Sequence, residues 1–216
     1  MKPDVNSRGR RGFTLVELLV IIGVVVVIVL MAIPAGDKKR GKADRIKCIN
    51  NLKNVGLAFR IFATDHGDLF PMSLPMRQGG SLDHTNVIEV FRHFQSMSNE
   101  LSTPKILRCP NDYRTEATNW SSLRNRNISY FIGLDSSETR PQSLLSGDRN
   151  LTTNGIPVKS GILELSTNNV VGWSRELHDG QGNIVLGDGS VQQVTAQRLQ
   201  DQVKTADTPP IRLAVP

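Results

Sequence analysis

Apolar side chains dominate the chain from Phe13 to Ile33, where Glu17 is the only ionisable residue. A helix over this segment would be about 31 Å long at about 1.5 Å per residue, enough to cross the hydrocarbon core of a bilayer. A carboxylate at such a depth is costly unless a positive group accompanies it. The pattern therefore predicts a transmembrane or assembly helix over 13–34, with Glu17 as a functional residue that requires a cationic partner.

The hydrophobic pattern changes after Pro34. Apolar residues then recur every three or four positions, as expected for one face of an amphipathic helix: Ile46, Ile49, Leu52, Val55, Phe59 and Phe62. Pro34 lacks a backbone donor and is expected to bend the helix, and Gly67 is expected to end it. The sequence thus predicts a stalk helix over 35–66 that continues the first helix into a head domain.

Beyond this helix, short strand patterns separated by turn residues take over. Helices are expected at Asn86 to Asn99 and Ala196 to Lys204. Strands are predicted at 128–134, 143–145, 161–165, 183–186 and 191–194. Asp188-Gly189 predicts a tight two-residue hairpin between the last two. The expected fold is α+β, with a long N-terminal helix packed on a small antiparallel sheet in a head at 67–207, then a flexible tail at 208–216.

The net charge and the motifs present exclude several classes of function. The net charge is +6, and residues 1–12 supply +3 of it (four basic residues less Asp4), so the rest carries about +3. The chain has no basic stripe with interleaved aromatics and no zinc-finger spacing, so no nucleic-acid partner is expected. It also has no nucleophile elbow or paired-carboxylate motif, and its four histidines lack ligand spacing, so we expect no catalytic activity.

The N-terminal segment also carries a family resemblance. Arg10-Arg11 followed by Gly12-Phe13-Thr14-Leu15-Val16-Glu17 and the apolar run resembles the class III signal of type IV pilins and type II secretion pseudopilins. The spacing of Glu17 and Pro34 from Phe13 agrees with that family. An ordinary secretory signal has a shorter apolar region, and a plain signal anchor would explain the length but not Glu17.

The resemblance implies a processing and assembly pathway. Prepilin peptidase would cut between Gly12 and Phe13, remove the leader at 1–12 and methylate the new Phe13 amine. Glu17 would support assembly by neutralising the amine of a neighbouring subunit, and Pro34 would bend the helix. The implied partners are other pilin or pseudopilin subunits, an inner-membrane assembly platform and the lipid bilayer.

The implied location is the inner membrane, with a single pass and the C-terminal head in the periplasm, and a filament or the cell surface after assembly. Charge distribution opposes this topology, since four basic residues precede the span and six follow it (Lys38, Lys39, Arg40, Lys42, Arg45, Lys47). The requirement that Gly12 face a peptidase at the cytoplasmic side outweighs that count.

The two cysteines lie outside the membrane in this topology, in an oxidising compartment. Cys48 falls on the stalk helix and Cys109 in a turn-like segment. A bridge would close a loop of about 60 residues and stabilise the fold by about 4 kcal/mol. The alternative is two buried, unpaired thiols.

A second resemblance lies near the C-terminus. His178, nine intervening residues and Asp188-Gly189 resemble a signature of pilin-like proteins of planctomycete and verrucomicrobial type. Because calcium stabilises a C-terminal loop in major pseudopilins, Asp179 and Asp188 are candidate calcium ligands. The hairpin explains Asp188-Gly189 without calcium, and His178 is expected to hold the turn by hydrogen bonding rather than to bind a metal.

These observations predict a pseudopilin or minor pilin, a structural subunit of a type II secretion pseudopilus or pilus-like filament for protein export. The alternative is a membrane-tethered extracytoplasmic binding module that does not polymerise. Such a module would recognise polysaccharide or a surface partner through its exposed loops at 71–84 and 135–159.

Overall fold

The computed structural model describes residues 12–32, 36–205 and 210–216. The chain divides into two units, residues 1–42 and 43–216. Most of the predicted leader at 1–12 and the predicted kink at Pro34 lie outside the described residues, so both stay predictions.

The N-terminal unit contains helix α1, Leu15–Ala32. Every side chain from Gly12 to Leu30 is exposed, including large apolar ones on all sides of the helix. Of the residues that the structure describes, no helix is both long enough and apolar enough to cross a membrane.

Helix α2, Gly36–Asp65, supplies the long amphipathic element of the larger unit from Ala43 onward. The predicted apolar face is confirmed at Leu52, Val55, Phe59 and Phe62, which are buried. Ile46 is 58% exposed instead, and Cys48 takes the buried position on that turn. The helix ends as predicted at Gly67, whose φ of +66° is a left-handed conformation that glycine adopts without strain.

The predicted helix at 86–99 is shorter and broken in the structure. It consists of α3, Val90–Gln95, and α4, Ser98–Leu101. Val87 and Ile88 are exposed, so the apolar periodicity there did not correspond to a buried helical face. The final helix, α5, has the predicted bounds, Ala196–Lys204, and the Thr195 side chain caps it by accepting from the Arg198 backbone N–H.

Nine strands are assigned among the described residues, and every pairing is antiparallel. In chain order they are β1 Tyr130–Gly133, β2 Leu144–Asp148, β3 Leu151–Thr153, β4 Ile156–Pro157, β5 Gly161–Leu165, β6 Val171–Trp173, β7 Gln181–Leu186, β8 Val191–Thr195 and β9 Ile211–Val215. Six form one sheet in the order β5-β9-β1-β2-β7-β8, and three form a small sheet in the order β4-β3-β6. This confirms an α+β fold with an antiparallel sheet.

The large sheet is covered on both faces. Because successive strand residues point to opposite faces, Tyr130 and Ile132 join the core cluster that contains α2 and α3, whereas Phe131 joins the cluster that contains α5 and the small sheet. Both faces of β1 are consequently buried. The larger unit therefore encloses two hydrophobic cores around one sheet.

The C-terminal residues correct the prediction of a flexible tail at 208–216. Residues 211–215 form β9, which pairs with β1 on one side and β5 on the other. Ile211, Leu213 and Val215 alternate along the strand and are buried. The preceding prolines, which indicated a loop, hid this short alternating pattern.

The predicted hairpin at Asp188-Gly189 joins β7 to β8, but its loop has three residues rather than two. Leu186 N–H donates to Ser190 O at 3.0 Å, and Gly189 N–H donates to Leu186 O at 2.8 Å. Gly189 has a φ of +80°, as required of the left-handed last residue of a three-residue hairpin loop.

Candidate functional site

Gly12 and Phe13 form the predicted cleavage site, and both are exposed in the structure. The Phe13 ring is 78% exposed, and a Cβ placed on Gly12 would meet no atom within 4 Å. Nothing among the described residues therefore covers the bond that a peptidase would cut.

Glu17 lies in the first turn of helix α1 and forms hydrogen bonds with Thr14, the residue directly before the helix. The Thr14 backbone N–H and side-chain Oγ1 both donate to Glu17 Oε2 at 2.8 Å, and Glu17 N–H donates back to Thr14 Oγ1 at 3.3 Å. This reciprocal pair is a capping box, which satisfies donors that have no partner within the helix. The Thr-x-x-Glu spacing is the sequence signal of this capping box, which adds a structural role to the charge of Glu17.

Cys48 and Cys109 are joined by a disulfide with an S–S distance of 2.05 Å, and both residues are fully buried. The bridge fastens α2 to the loop that precedes β1. A second tie lies beside it, because Asn51 on α2 donates from Nδ2 to Arg108 O at 2.9 Å. The alternative of two unpaired thiols does not hold, since no free cysteine occurs among the described residues.

His178 lies buried beside this disulfide. Its Nε2 is 3.6 Å from Cys109 Sγ and 3.4 Å from Asp148 Oδ2, and its Nδ1 is 3.3 Å from Asn111 Nδ2. Burial lowers the pKa of His178 to about 4, and the positive charge of Arg45 adds to this shift. Because the imidazole is then neutral at pH 7, its 3.4 Å contact with Asp148 is not an ion pair.

Asp148 is the member of this cluster that the sequence analysis missed. It ends β2, and the pairing of β2 with β7 brings it to the part of the chain that follows His178. Its Oδ2 accepts from the Asn183 N–H at 2.7 Å and from Asn183 Nδ2 at 2.8 Å. Complete burial raises the pKa of Asp148 to about 7. No local spacing in the sequence signals a contact that depends on sheet pairing.

The predicted calcium pair is wrong. Asp179 precedes β7 and Asp188 follows it, so a six-residue strand, about 20 Å long at about 3.3 Å per residue, separates them. The Asp179 side chain is 94% exposed and faces Arg175 at 3.9 Å. Asp188 Oδ1 accepts from the Ser190 N–H at 2.8 Å and stabilises the hairpin loop. The two carboxylates cannot ligate one ion.

The two ends of the His-x9-Asp-Gly pattern lie beside different turns of α2. His178 lies next to the Cys48–Cys109 bridge at one end of β7. At the other end, a Cβ added to Gly56 would come within 3.0 Å of Gly189 O and within 2.8 Å of Val185 Cγ1. The absence of a side chain at Gly56 thus lets the hairpin approach the helix. The resemblance of this pattern to the named group of pilin-like proteins stays a prediction.

The loop at 71–84 and the first residues of the predicted loop at 135–159 come together at a pocket of about 490 Å³. The rest of 135–159 is not a loop, because it contains strands β2, β3 and β4. Its polar lining is mostly hydroxyls and charged groups: Ser73, Thr85, Asp135, Ser136, Ser137, Thr139, Arg140 and Arg212. Arg212 pairs with Asp135, with an Nη2 to Oδ1 distance of 2.5 Å. A pocket of this size and polarity has room for a small polar ligand.

Comparison with known proteins bears on the N-terminal segment. Residues 7–33 match the family model described as the prokaryotic N-terminal methylation motif. The chain therefore carries a prepilin-type cleavage and methylation signal. The signal supports a type IV pilin-like or pseudopilin-like protein, implies processing by a peptidase and assembly with other pilin subunits, and suggests a membrane-anchored, surface or filament location. Comparison with curated proteins and with solved structures found no match.

Proposed function

We propose that this protein is a pseudopilin or minor pilin, a subunit without catalytic activity that assembles into a type II secretion pseudopilus or pilus-like filament for protein export. The observation that carries the proposal is the prepilin-type signal at residues 7–33, which includes the whole of helix α1.

The surface of α1 supports this function. Its large apolar side chains from Leu15 to Leu30 are about half exposed or more. An apolar surface of this kind in contact with water is unfavourable and marks a lipid or protein contact. In the proposed mechanism, lipid of the inner membrane covers the segment 13–34 before assembly. An assembly platform then transfers it to a filament in which the helices of neighbouring subunits cover one another.

Polymerisation of the wild-type chain tests the proposal. The chain would be expressed in a host that has prepilin peptidase and a complete assembly platform, and in the same host without the platform. We expect the protein in sheared surface filaments only in the first host. A chain that is cut and methylated but never enters a sheared or cross-linked polymer would show that the protein is not a filament subunit.

The pocket between the two loops favours a second candidate, a membrane-tethered binding module for polysaccharide. Hydroxyl and charged groups line it, and both loops contribute. Under this alternative, the wild type binds a surface polysaccharide without polymerising, and Ser73→Trp, which places a large ring at the pocket, abolishes that binding. Retained binding in this variant would exclude the pocket as the ligand site.

A further inference from the structure

The buried cluster around the disulfide fits a function beyond filament assembly. We propose that, when the Cys48–Cys109 bridge is open, the chain binds one Zn²⁺ ion through Cys48, Cys109, His178 and Asp148. The site would fasten α2 to the head in the thiol state, as the disulfide does in the oxidised state.

Two of the distances between proposed ligand atoms, Cys109 to His178 and His178 to Asp148, match edges of a zinc tetrahedron. Zn–S bonds of about 2.3 Å and Zn–N and Zn–O bonds of about 2.1 Å give edges of about 3.6 Å between sulfur and nitrogen and about 3.4 Å between nitrogen and oxygen. Cys109 Sγ lies 3.6 Å from His178 Nε2, and that nitrogen lies 3.4 Å from Asp148 Oδ2. The ligand atoms of Cys48, Cys109 and His178 all lie within 4.8 Å of one another.

The surroundings of the four side chains are those of a structural metal site. All four residues are buried, and Asp148 Oδ1 has no hydrogen-bond partner among the described residues. Asn183 orients the oxygen that faces His178, Asp148 Oδ2, through two hydrogen bonds. Metal binding at His178 Nε2 leaves the proton on Nδ1, and a half-turn of the Asn111 amide brings its oxygen to that proton. Such outer contacts orient metal ligands.

The chemistry of the ligands selects zinc. Two thiolates with an imidazole and a carboxylate suit Zn²⁺, whereas Ca²⁺ and Mg²⁺ prefer oxygen ligands alone. Opening the bridge takes two electrons and two protons and leaves two thiols, whose protons Zn²⁺ displaces. The loaded site then carries one net negative charge, because two thiolates and one carboxylate face a divalent ion. The nearby Arg45, held by a hydrogen bond to Gln181 Oε1 at 2.5 Å, offsets that charge.

The thiol state arises without any reductant, since the polypeptide is synthesised with free thiols. Zinc would occupy the site until an oxidising disulfide accepts the two electrons of the thiolates and the ion leaves. Either state holds residue 48 of α2 close to residue 109.

Zinc retention by the full-length protein in detergent tests the proposal. The protein would be prepared oxidised or reduced with a phosphine, incubated with Zn²⁺, desalted and analysed for bound metal. We expect one zinc per reduced chain and at least about tenfold less in the oxidised protein. His178→Ala and Asp148→Asn should each weaken zinc binding by about tenfold or more. Asp188→Asn, which alters a carboxylate outside the cluster, should leave it unchanged.

A folded, reduced wild type that retains no zinc would overturn the inference, as would undiminished binding by His178→Ala. If the variants do not fold, a second measurement on the wild type tests the site. Bound zinc should slow alkylation of Cys48 and Cys109 in the reduced protein by at least about tenfold, and equal rates with and without zinc would reject the site. Neither result depends on whether the protein forms filaments.

Discussion

Gly12 is small and uncovered, and both properties suit a residue that must enter the cleft of a peptidase. A larger residue at this position should block cleavage of the following bond. We therefore predict that Gly12→Val inserts into the membrane normally but keeps residues 1–12, whereas the wild type begins at N-methylated Phe13. Intact-mass analysis of membrane-extracted protein distinguishes the two.

Gly41→Val is the matched control for this substitution. A Cβ at Gly41 also meets no atom within 4 Å, but this glycine lies on α2, away from the scissile bond. It should be processed like the wild type. Processing of Gly12→Val to the same N-terminus would mean that cleavage occurs elsewhere.

His93 gives the stability of the head a predictable pH dependence. The side chain is fully buried, with Nδ1 2.8 Å from Ser81 Oγ, and burial lowers its pKa to about 4. Between about pH 6.5 and pH 4 the unfolded chain binds a proton that the folded chain does not, so stability falls as the pH decreases. At about 1.4 kcal/mol per pH unit, His93 lowers the free energy of unfolding by up to about 3 kcal/mol between about pH 6.5 and pH 4.

Replacement of His93 tests this assignment. In His93→Gln, the free energy of unfolding should decrease less between pH 7 and pH 4 than in the wild type, as measured by denaturant titration at each pH. An equal decrease in His93→Gln and the wild type would exclude His93 as the source.

At the scale of elements, the disulfide is the strongest single tie between α2 and the rest of the head. Its cysteines are 61 positions apart, and a cross-link over such a loop stabilises by about 4 kcal/mol in the chain-entropy model. We predict that Cys48→Ala/Cys109→Ala lowers the free energy of unfolding by about that amount. Denaturant titration of the oxidised wild type and the variant measures the difference.

Peptide mapping without reductant gives an independent check, since it should recover the two cysteine peptides joined. The free energy of unfolding of the wild type would also be measured with the bridge closed and with the bridge opened by a reductant, both without metal. Equal values would show that the bridge does not stabilise the fold.

Elements with strong local patterns were predictable from the sequence. Strand β5 and helix α5 have their predicted bounds, because a short apolar run after Gly161 marks the strand and clear helical periodicity marks the helix. Strand β9 was missed because the two prolines that precede it indicated a loop. Strands β3, β4 and β6 have two or three residues each, too few to show a period.

The functional residues were likewise predictable only where the sequence pattern is local. The cleavage and assembly residues occupy one contiguous segment, so their spacing could be recognised directly. The cluster of His178, Asp148 and the disulfide draws on four distant parts of the chain, and only the folded sheet brings them together. The calcium prediction rested on a resemblance to calcium-stabilised loops, and it failed because strand β7 separates Asp179 from Asp188.

At the scale of the whole molecule, the two units differ in what they leave exposed. Residues 43–216 cover both faces of their main sheet with their own side chains, whereas α1 exposes apolar side chains all round. The larger unit can therefore be stable by itself, and the need for lipid or neighbouring subunits is concentrated in the N-terminal helix. Filament assembly should accordingly be sensitive to substitutions near Glu17.

Glu17 has two possible contributions to assembly, and the chain allows them to be separated. Its carboxylate completes the capping box with Thr14, and it carries the negative charge proposed to pair with the Phe13 amine of a neighbour. Glu17→Ala removes both. Glu17→Gln keeps an oxygen that can accept from Thr14 but removes the charge, and Thr14→Val removes the hydroxyl but leaves the charge.

If pairing of charges drives assembly, Glu17→Ala and Glu17→Gln should both insert and be cleaved but fail to polymerise, because the neighbour's ammonium would enter an apolar helix bundle without a counter-charge. Thr14→Val should still assemble. Cross-linking in membranes and recovery of sheared filaments, in a host with the full assembly machinery, measure the outcome. Normal assembly of Glu17→Gln together with failure of Thr14→Val would assign the role of Glu17 to helix capping, and assembly of all three variants would exclude both contributions.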